Sequence, residues 1–300
     1  MTQRQTEIPP KAFELYDQYA HGHIDRRQFL RGLTGVAVGG YTASGLMSAL
    51  LPNYALAEQV SFNDPDIVAH YKTFPSPDGH GTGRGYLVLP SELEGTAPVI
   101  LVIHENRGLN PYIKDVARRL AKEGFIAFAP DALHPVGGYP GNDDKGRSLQ
   151  ASLDRDKLFA DLVAAARFAR GVDKGNGKLG VVGFCFGGSI SNRLAAEHPE
   201  LIDAAAPYYG SPPALEDVEA IDAPIQVHLG ELDERINSQY PAYEEALQKH
   251  NVNYEIFIYE GANHGFHNDS TPRYDEEDAT LAWTRTLAFF NQHLRTEPIE

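Results

Sequence analysis

The chain has 300 residues, 42% of them hydrophobic, with 41 acidic against 26 basic side chains and a formal net charge of −15. That suffices for one large core, and because a single α/β domain takes roughly 200 to 250 residues, an N-terminal surplus remains. The acidic balance argues against a grip on nucleic acid or an anionic membrane, both of which need basic patches.

The surplus, residues 1–57, reads either as a leader or as a helical extension ahead of a catalytic domain at 58–300. Asp25-Arg26-Arg27-Gln28-Phe29-Leu30-Arg31 resembles a twin-arginine export motif, followed by the uncharged stretch Gly32 to Leu51 and a small-x-small site at Ala55-Leu56-Ala57. This order predicts periplasmic export. The alternative is a retained extension on a cytoplasmic protein, with Asp25 capping an amphipathic helix. Gly, Ser and Thr in the apolar stretch argue against a stable membrane span.

Two strands are expected around Ile67 to Phe74 and Gly85 to Leu89, joined by a glycine-rich turn. Pro98 to Ile103 is a β-branched run of the kind buried on both faces of a sheet, and it leads into His104-Glu105-Asn106-Arg107. Helices at 112–123 and 158–170 flank a strand at 125–130. Strands alternating with helices give a mostly parallel sheet covered on both faces. Between Asp131 and Arg147 the chain is too long and glycine-rich for a simple connection, and it is expected to cover a substrate.

Gly183-Phe184-Cys185-Phe186-Gly187 sits between an apolar strand and a small-residue helix start, and Cys185 is the only cysteine. Glycines two places to either side let strand and helix approach closely, so the pentapeptide reads as a nucleophile elbow with a thiol in place of a hydroxyl. The following helix start favours thiolate over thiol. Ser189 and Ser191, on that helix, are weaker alternatives. A thiol nucleophile needs a histidine and an orienting carboxylate, in the chain order nucleophile, acid, histidine. Asp233 follows the strand at 224–230, with Glu231 and Glu234 as competitors, and His264 follows the strand at 254–259. His264 and His267 are too few for a metal set, so neither a metal nor another cofactor is expected. The oxyanion hole is expected from the backbone N–H groups of Phe186 and Asn106.

Val102-Ile103-His104-Glu105, Phe128-Ala129-Pro130-Asp131, Gly183 to Gly188, Pro207-Tyr208-Tyr209-Gly210, Gly230 to Asp233 and Asn263-His264-Gly265-Phe266 together resemble the dienelactone hydrolase family of α/β-hydrolases. The resemblance runs from about Val60 to the final helix. It implies that Cys185 attacks an ester or lactone carbonyl to give a thioester, that His264 and Asp233 assist hydrolysis, and that Glu105 holds the resting thiol. Arg107, Tyr208 and Phe266 are the residues expected to meet a small-molecule substrate. The family's substrate-clamping arginine four residues beyond the histidine is Asn268 here, which puts dienelactone itself in doubt and leaves Arg107, Arg147 and Arg273 as substitutes. A non-hydrolytic thiol sensor or ligand-binding protein on the same scaffold is the competing function. A homo-oligomer is compatible with the sequence.

Overall fold

The computed structural model describes residues 8–36 and 42–295. It opens with α1 (Pro10–Ala20), α2 (Arg26–Val36), α3 (Ala43–Leu50) and the single turn α4 (Tyr54–Ala57). Tyr16, Tyr19, Phe29, Leu33, Leu46 and Leu50 form a small core of their own, in which the Tyr19 and Phe29 rings stack at 4.7 Å. At the start of α2, Gln28 N donates to Asp25 Oδ1 and Asp25 N donates to Gln28 Oε1, both at 2.7 Å. Two orphan N–H groups are thereby satisfied reciprocally, while Arg26, Arg27 and Arg31 stay exposed. Residues 37–41 of the apolar stretch lie outside the described residues. No described helix is long and apolar enough to cross a membrane.

The remainder is a layered α/β sandwich, with elements in the order β1 (Ile67–Ser76), β2 (Gly81–Pro90), β3 (Ala97–Ile103), α5 (Pro111–Lys122), β4 (Ile126–Pro130), α6 (Asp143–Ala151), α7 (Arg155–Arg170), β5 (Gly175–Phe184), α8 (Phe186–Glu197), β6 (Ala204–Tyr208), β7 (Ile225–Gly230), α9 (Glu234–Asn237), α10 (Tyr240–Lys249), β8 (Tyr254–Tyr259) and α11 (Glu276–Leu294). The eight strands form one sheet in the order β1-β2-β4-β3-β5-β6-β7-β8. Only the β1–β2 and β2–β4 pairs are antiparallel; from β4 to β8 every pair is parallel.

Two apolar layers sandwich this sheet, and successive residues of β3 divide between them as strand geometry dictates. Val99, Leu101 and Ile103 face α7, α8 and α10. Ile100 and Val102 face α5 and α11. Parallel strands buried on both faces place all their carboxyl ends along one rim, the rim where open α/β sheets bind ligands.

Candidate active site

At the end of β5 the chain turns into α8 through Cys185, whose φ of 56° and ψ of −112° lie in a left-handed region that a non-glycine residue occupies only under strain. The flanking glycines make this geometry feasible. A Cβ on Gly183 would lie 2.0 Å from the Gly187 carbonyl oxygen, and one on Gly187 would lie 2.2 Å from that of Ile103. Cys185 N donates to Tyr208 O at 3.1 Å, which ties the turn to β6. The thiol is thus presented at the rim beside the first N–H groups of α8.

Asp233 follows β7 and His264 follows β8, and their loops bring the His264 Nδ1 to 2.5 Å from Asp233 Oδ2. Glu231 Oε2 instead accepts from Gly261 N, so of the competing carboxylates it is Asp233 that steers the imidazole. The opposite ring nitrogen, Nε2, is buried with no hydrogen-bond partner among the described residues.

A third group approaches from α1. His21 Nε2 lies 3.3 Å from Cys185 Sγ. Its Nδ1 lies 2.8 Å from Asp17 O and 3.2 Å from Asp17 Oδ1. Sγ and one ring nitrogen each from His21 and His264 fall within 4.8 Å of one another, with the two rings edge to face at 4.8 Å. Burial alone would raise the thiol pKa, but the two imidazoles outweigh it and hold Cys185 well below an ordinary thiol. Burial likewise opposes charge on His264, yet Asp233, Cys185 and Asp17 push it up to about 10. His21 is raised in the same way, by Cys185 and Asp17 against burial. The arrangement sets the sulfur between two imidazoles, each of which lowers its pKa.

Such a trio has the donor set of a metal centre, but Arg235 Nη2 lies 3.1 Å from His21 Nε2. A guanidinium at that distance puts a positive charge against the ring nitrogen, which disfavours a divalent cation there.

Residues 84–294 match the model of the dienelactone hydrolase family. The chain belongs to the dienelactone hydrolase family. Residues 1–38 match a separate model described as YqhI-like. The fragment YghX of Escherichia coli strain K12 is 66% identical over 113 residues, 38% of this chain and 97% of the fragment. An Aquifex aeolicus protein assigned as a carboxymethylenebutenolidase is 33% identical over 224 residues, 71% of this chain and 94% of that protein. The crystal structure of a Klebsiella pneumoniae protein assigned as a dienelactone hydrolase superposes with a TM-score of 0.66 at 29% identity, covering 75% of this chain and 99% of that one. Membership supports a hydrolase of esters or lactones.

Several expectations drawn from the dienelactone hydrolase resemblance meet a different arrangement. Glu105 does not hold the thiol: its Oε2 accepts from Asn268 Nδ2 at 2.9 Å, and the hydrogen-bond partner of Sγ among the described residues is His21. Burial raises the Glu105 pKa, with Arg107 opposing. Tyr208 is fully buried, its ring stacked on His228 and its hydroxyl paired with Thr286, so it faces α11 rather than the sulfur. Tyr209, its neighbour, packs against His264 at 5.0 Å. Phe266 is buried against Tyr209 and Tyr259. His267 turns away to the Tyr112 hydroxyl, and burial lowers its pKa to about 3.

All three arginines weighed as carboxylate clamps face α1. Arg107 pairs with Asp143 at 2.7 Å and has its guanidinium 5.5 Å from the Tyr16 ring. Arg147 donates to Tyr19 O at 2.7 Å. Arg273, buried, lies 3.6 Å from Asp17 Oδ1. The segment after Asp131 is less of a loop than expected, since α6 begins at Asp143, whose carboxylate accepts from Tyr54, Tyr139 and Arg107. Helix α6 then walls a cavity of about 470 Å³, together with His21, Gly22, Asn106 and Phe186. Asp17 and His21 carried no signal in the sequence beyond a histidine near the end of a short helix, which reads as a surface residue.

Proposed function

We propose that the chain hydrolyses a small ester or lactone through Cys185, by way of a thioester acyl-enzyme. The observation that carries this reading is the sulfur on a strained elbow beside an imidazole that Asp233 steers, with its pKa lowered by the imidazoles around it. The sulfur attacks the carbonyl carbon, and the developing oxyanion lies toward the N–H groups of Phe186 and Asn106. His264 then takes a proton from water as the thioester is hydrolysed, with Asp233 fixing its tautomer. The cavity beside Asn106 and Phe186 supports a small acyl or alcohol portion; of the segment from Asp131 to Arg147 expected to cover the substrate, Arg147 alone lines it, followed by Ser148, Gln150 and Ala151 of α6. Esters with good leaving groups suit a thiolate, because an acyl-thioester otherwise partitions back.

Turnover of short activated esters and lactones with one-to-one labelling of Cys185 by a chloromethyl ketone or iodoacetamide is the expected result. In Cys185→Ala the rate should fall by at least ~10⁴-fold. An undiminished rate in that variant ends this assignment.

A further inference from the structure

Helix α1 is docked onto the rim by its C-terminal end. Its last carbonyls accept from groups of the hydrolase domain, Ala20 O from Asn106 Nδ2 and Tyr19 O from Arg147 Nη1, both at 2.7 Å. Arg147, a basic partner at a helix C-terminus, also matches the sign of its dipole. One helical turn back, Asp17 lies between Arg235 at 3.7 Å and Arg273 at 3.6 Å. These contacts leave His21 with its Nδ1 on the Asp17 carbonyl oxygen, the Asp17 carboxylate 3.2 Å away, and its Nε2 on the sulfur, so that an aspartate stands behind each imidazole, Asp233 through its carboxylate and Asp17 chiefly through its backbone. The helix does not fill the substrate space. A cavity of about 470 Å³ remains beside both oxyanion N–H residues, and His21 is one of its walls, while neither Cys185 nor His264 is.

We propose that His21, steered by Asp17, is a second catalytic imidazole of this site, and that the N-terminal helical unit is a working wall of the enzyme. The inference rests on the thiol-hydrolase reading above and assigns the acylation proton. The Cys185 thiol proton passes to His21 Nε2. The sulfur attacks the carbonyl carbon, forming the C–S bond as the carbonyl π pair moves onto oxygen. On collapse the C–O bond breaks, and the leaving alkoxide takes the proton from His21 Nε2 on the cavity side. Water then adds to the thioester with its proton going to His264, the thiolate departs, and His264 returns that proton to sulfur. Ester and water become acid and alcohol, and no proton is left over. The titratable and charged groups facing His21 are Asp17 on its own helix, His23 two residues on, Arg235 from α9, Cys185 at the elbow and His264 after β8, with Arg273 from the loop before α11 on the far side against Asp17.

The test uses the full chain with His21→Ala, His21→Gln and Asp17→Asn, assayed on acetate esters of rising leaving-group pKa from p-nitrophenyl to alkyl. A nitrophenolate leaves without help and an alkoxide does not. His21→Ala and His21→Gln should therefore lose ~10²-fold in kcat/KM on alkyl esters and only a few-fold on p-nitrophenyl acetate. Added imidazole should restore the alkyl-ester rate of His21→Ala, and Asp17→Asn should fall between wild type and that variant. An equal loss across the series, no loss at all, or a gain in rate, as from a removed plug, overturns the proposal. So does a chain isolated from cells that begins at Glu58. Cys185→Ala separates the two ideas: if it retains wild-type turnover, the nucleophile itself is misassigned, whereas a flat leaving-group series with Cys185 essential removes His21 alone.

Discussion

The sheet side and the helical side of the site each set an aspartate behind an imidazole, by different means: Asp233 with its carboxylate, Asp17 with its backbone carbonyl and a carboxylate 3.2 Å away. Asp233 and His264 are 31 residues apart in sequence and meet because β7 and β8 end side by side on the rim. Asp17 and His21 are one helical turn apart, so their mutual orientation is local, as any i, i+4 pair on a helix is. Position reverses the contrast. The strand-end pair is fixed by two apolar layers that enclose the sheet, whereas α1 reaches the sulfur through a handful of polar contacts at its end. Orientation is easily obtained from a single turn of helix, but placement against the sulfur requires either a packed sheet or a dedicated set of docking bonds.

The largest expected effect breaks the sheet side. Gly183→Ala puts a methyl group 2.0 Å from a backbone carbonyl that has no rotamer with which to yield. Stability should fall by ~3 kcal/mol or more, measured as a lower urea midpoint, with Cys185 displaced in whatever still folds. A midpoint unchanged from wild type would mean that strand and helix do not cross so closely.

A second prediction sharpens the comparison by asking which wall holds the thiolate. Alkylation of Cys185 by iodoacetamide proceeds through the thiolate, and an ordinary thiol near 8.5 gains ~10-fold per pH unit up to that value. Because both imidazoles lower the Cys185 pKa, alkylation in the wild type should already be on its plateau at neutral pH. Removing either cation raises the folded-state thiol pKa, so the acid limb should move to higher pH in both His21→Gln and His264→Gln. His21 is the stronger influence and its loss should move the limb further. A wild-type rate still climbing through pH 8 to 9 would contradict the thiolate pair.

The smallest effect belongs to the helical side. Arg147→Ala removes the donor to Tyr19 O and a guanidinium 4.3 Å from the Tyr19 ring. Docking of α1 should weaken by about 1 to 2 kcal/mol, seen as faster amide exchange in α1 while the global unfolding midpoint holds. Exchange slowed or unaltered would show that Arg147 does not anchor the helix.

Much of the hydrolase domain was legible because its signals are local. The β-branched run ending at Ile103 and the glycine frame of Cys185 each encode a backbone geometry within a few residues. Asp233 and His264 were found by their position after a strand end. The strand β6 and the helix α10 escaped notice, since Ala204-Ala205-Ala206 has no periodicity to betray a buried strand. Glu105 went astray for another reason: which partner a buried carboxyl takes depends on groups 163 residues away, here Asn268. The arginines at 107, 147 and 273 were equally undetermined, because a guanidinium reads the same in sequence whether it clamps a substrate or a helix.

The sequence by itself determined the α/β-hydrolase sheet, the elbow and the identity of the thiol, because burial periodicity and close glycine packing are properties of short segments. Tertiary structure alone decided that the residues ahead of the sheet turn back onto its rim and set a second imidazole against the sulfur. That outcome rests on side chains meeting across 164 residues of chain, as His21 meets Cys185, and no local pattern specifies such a distance.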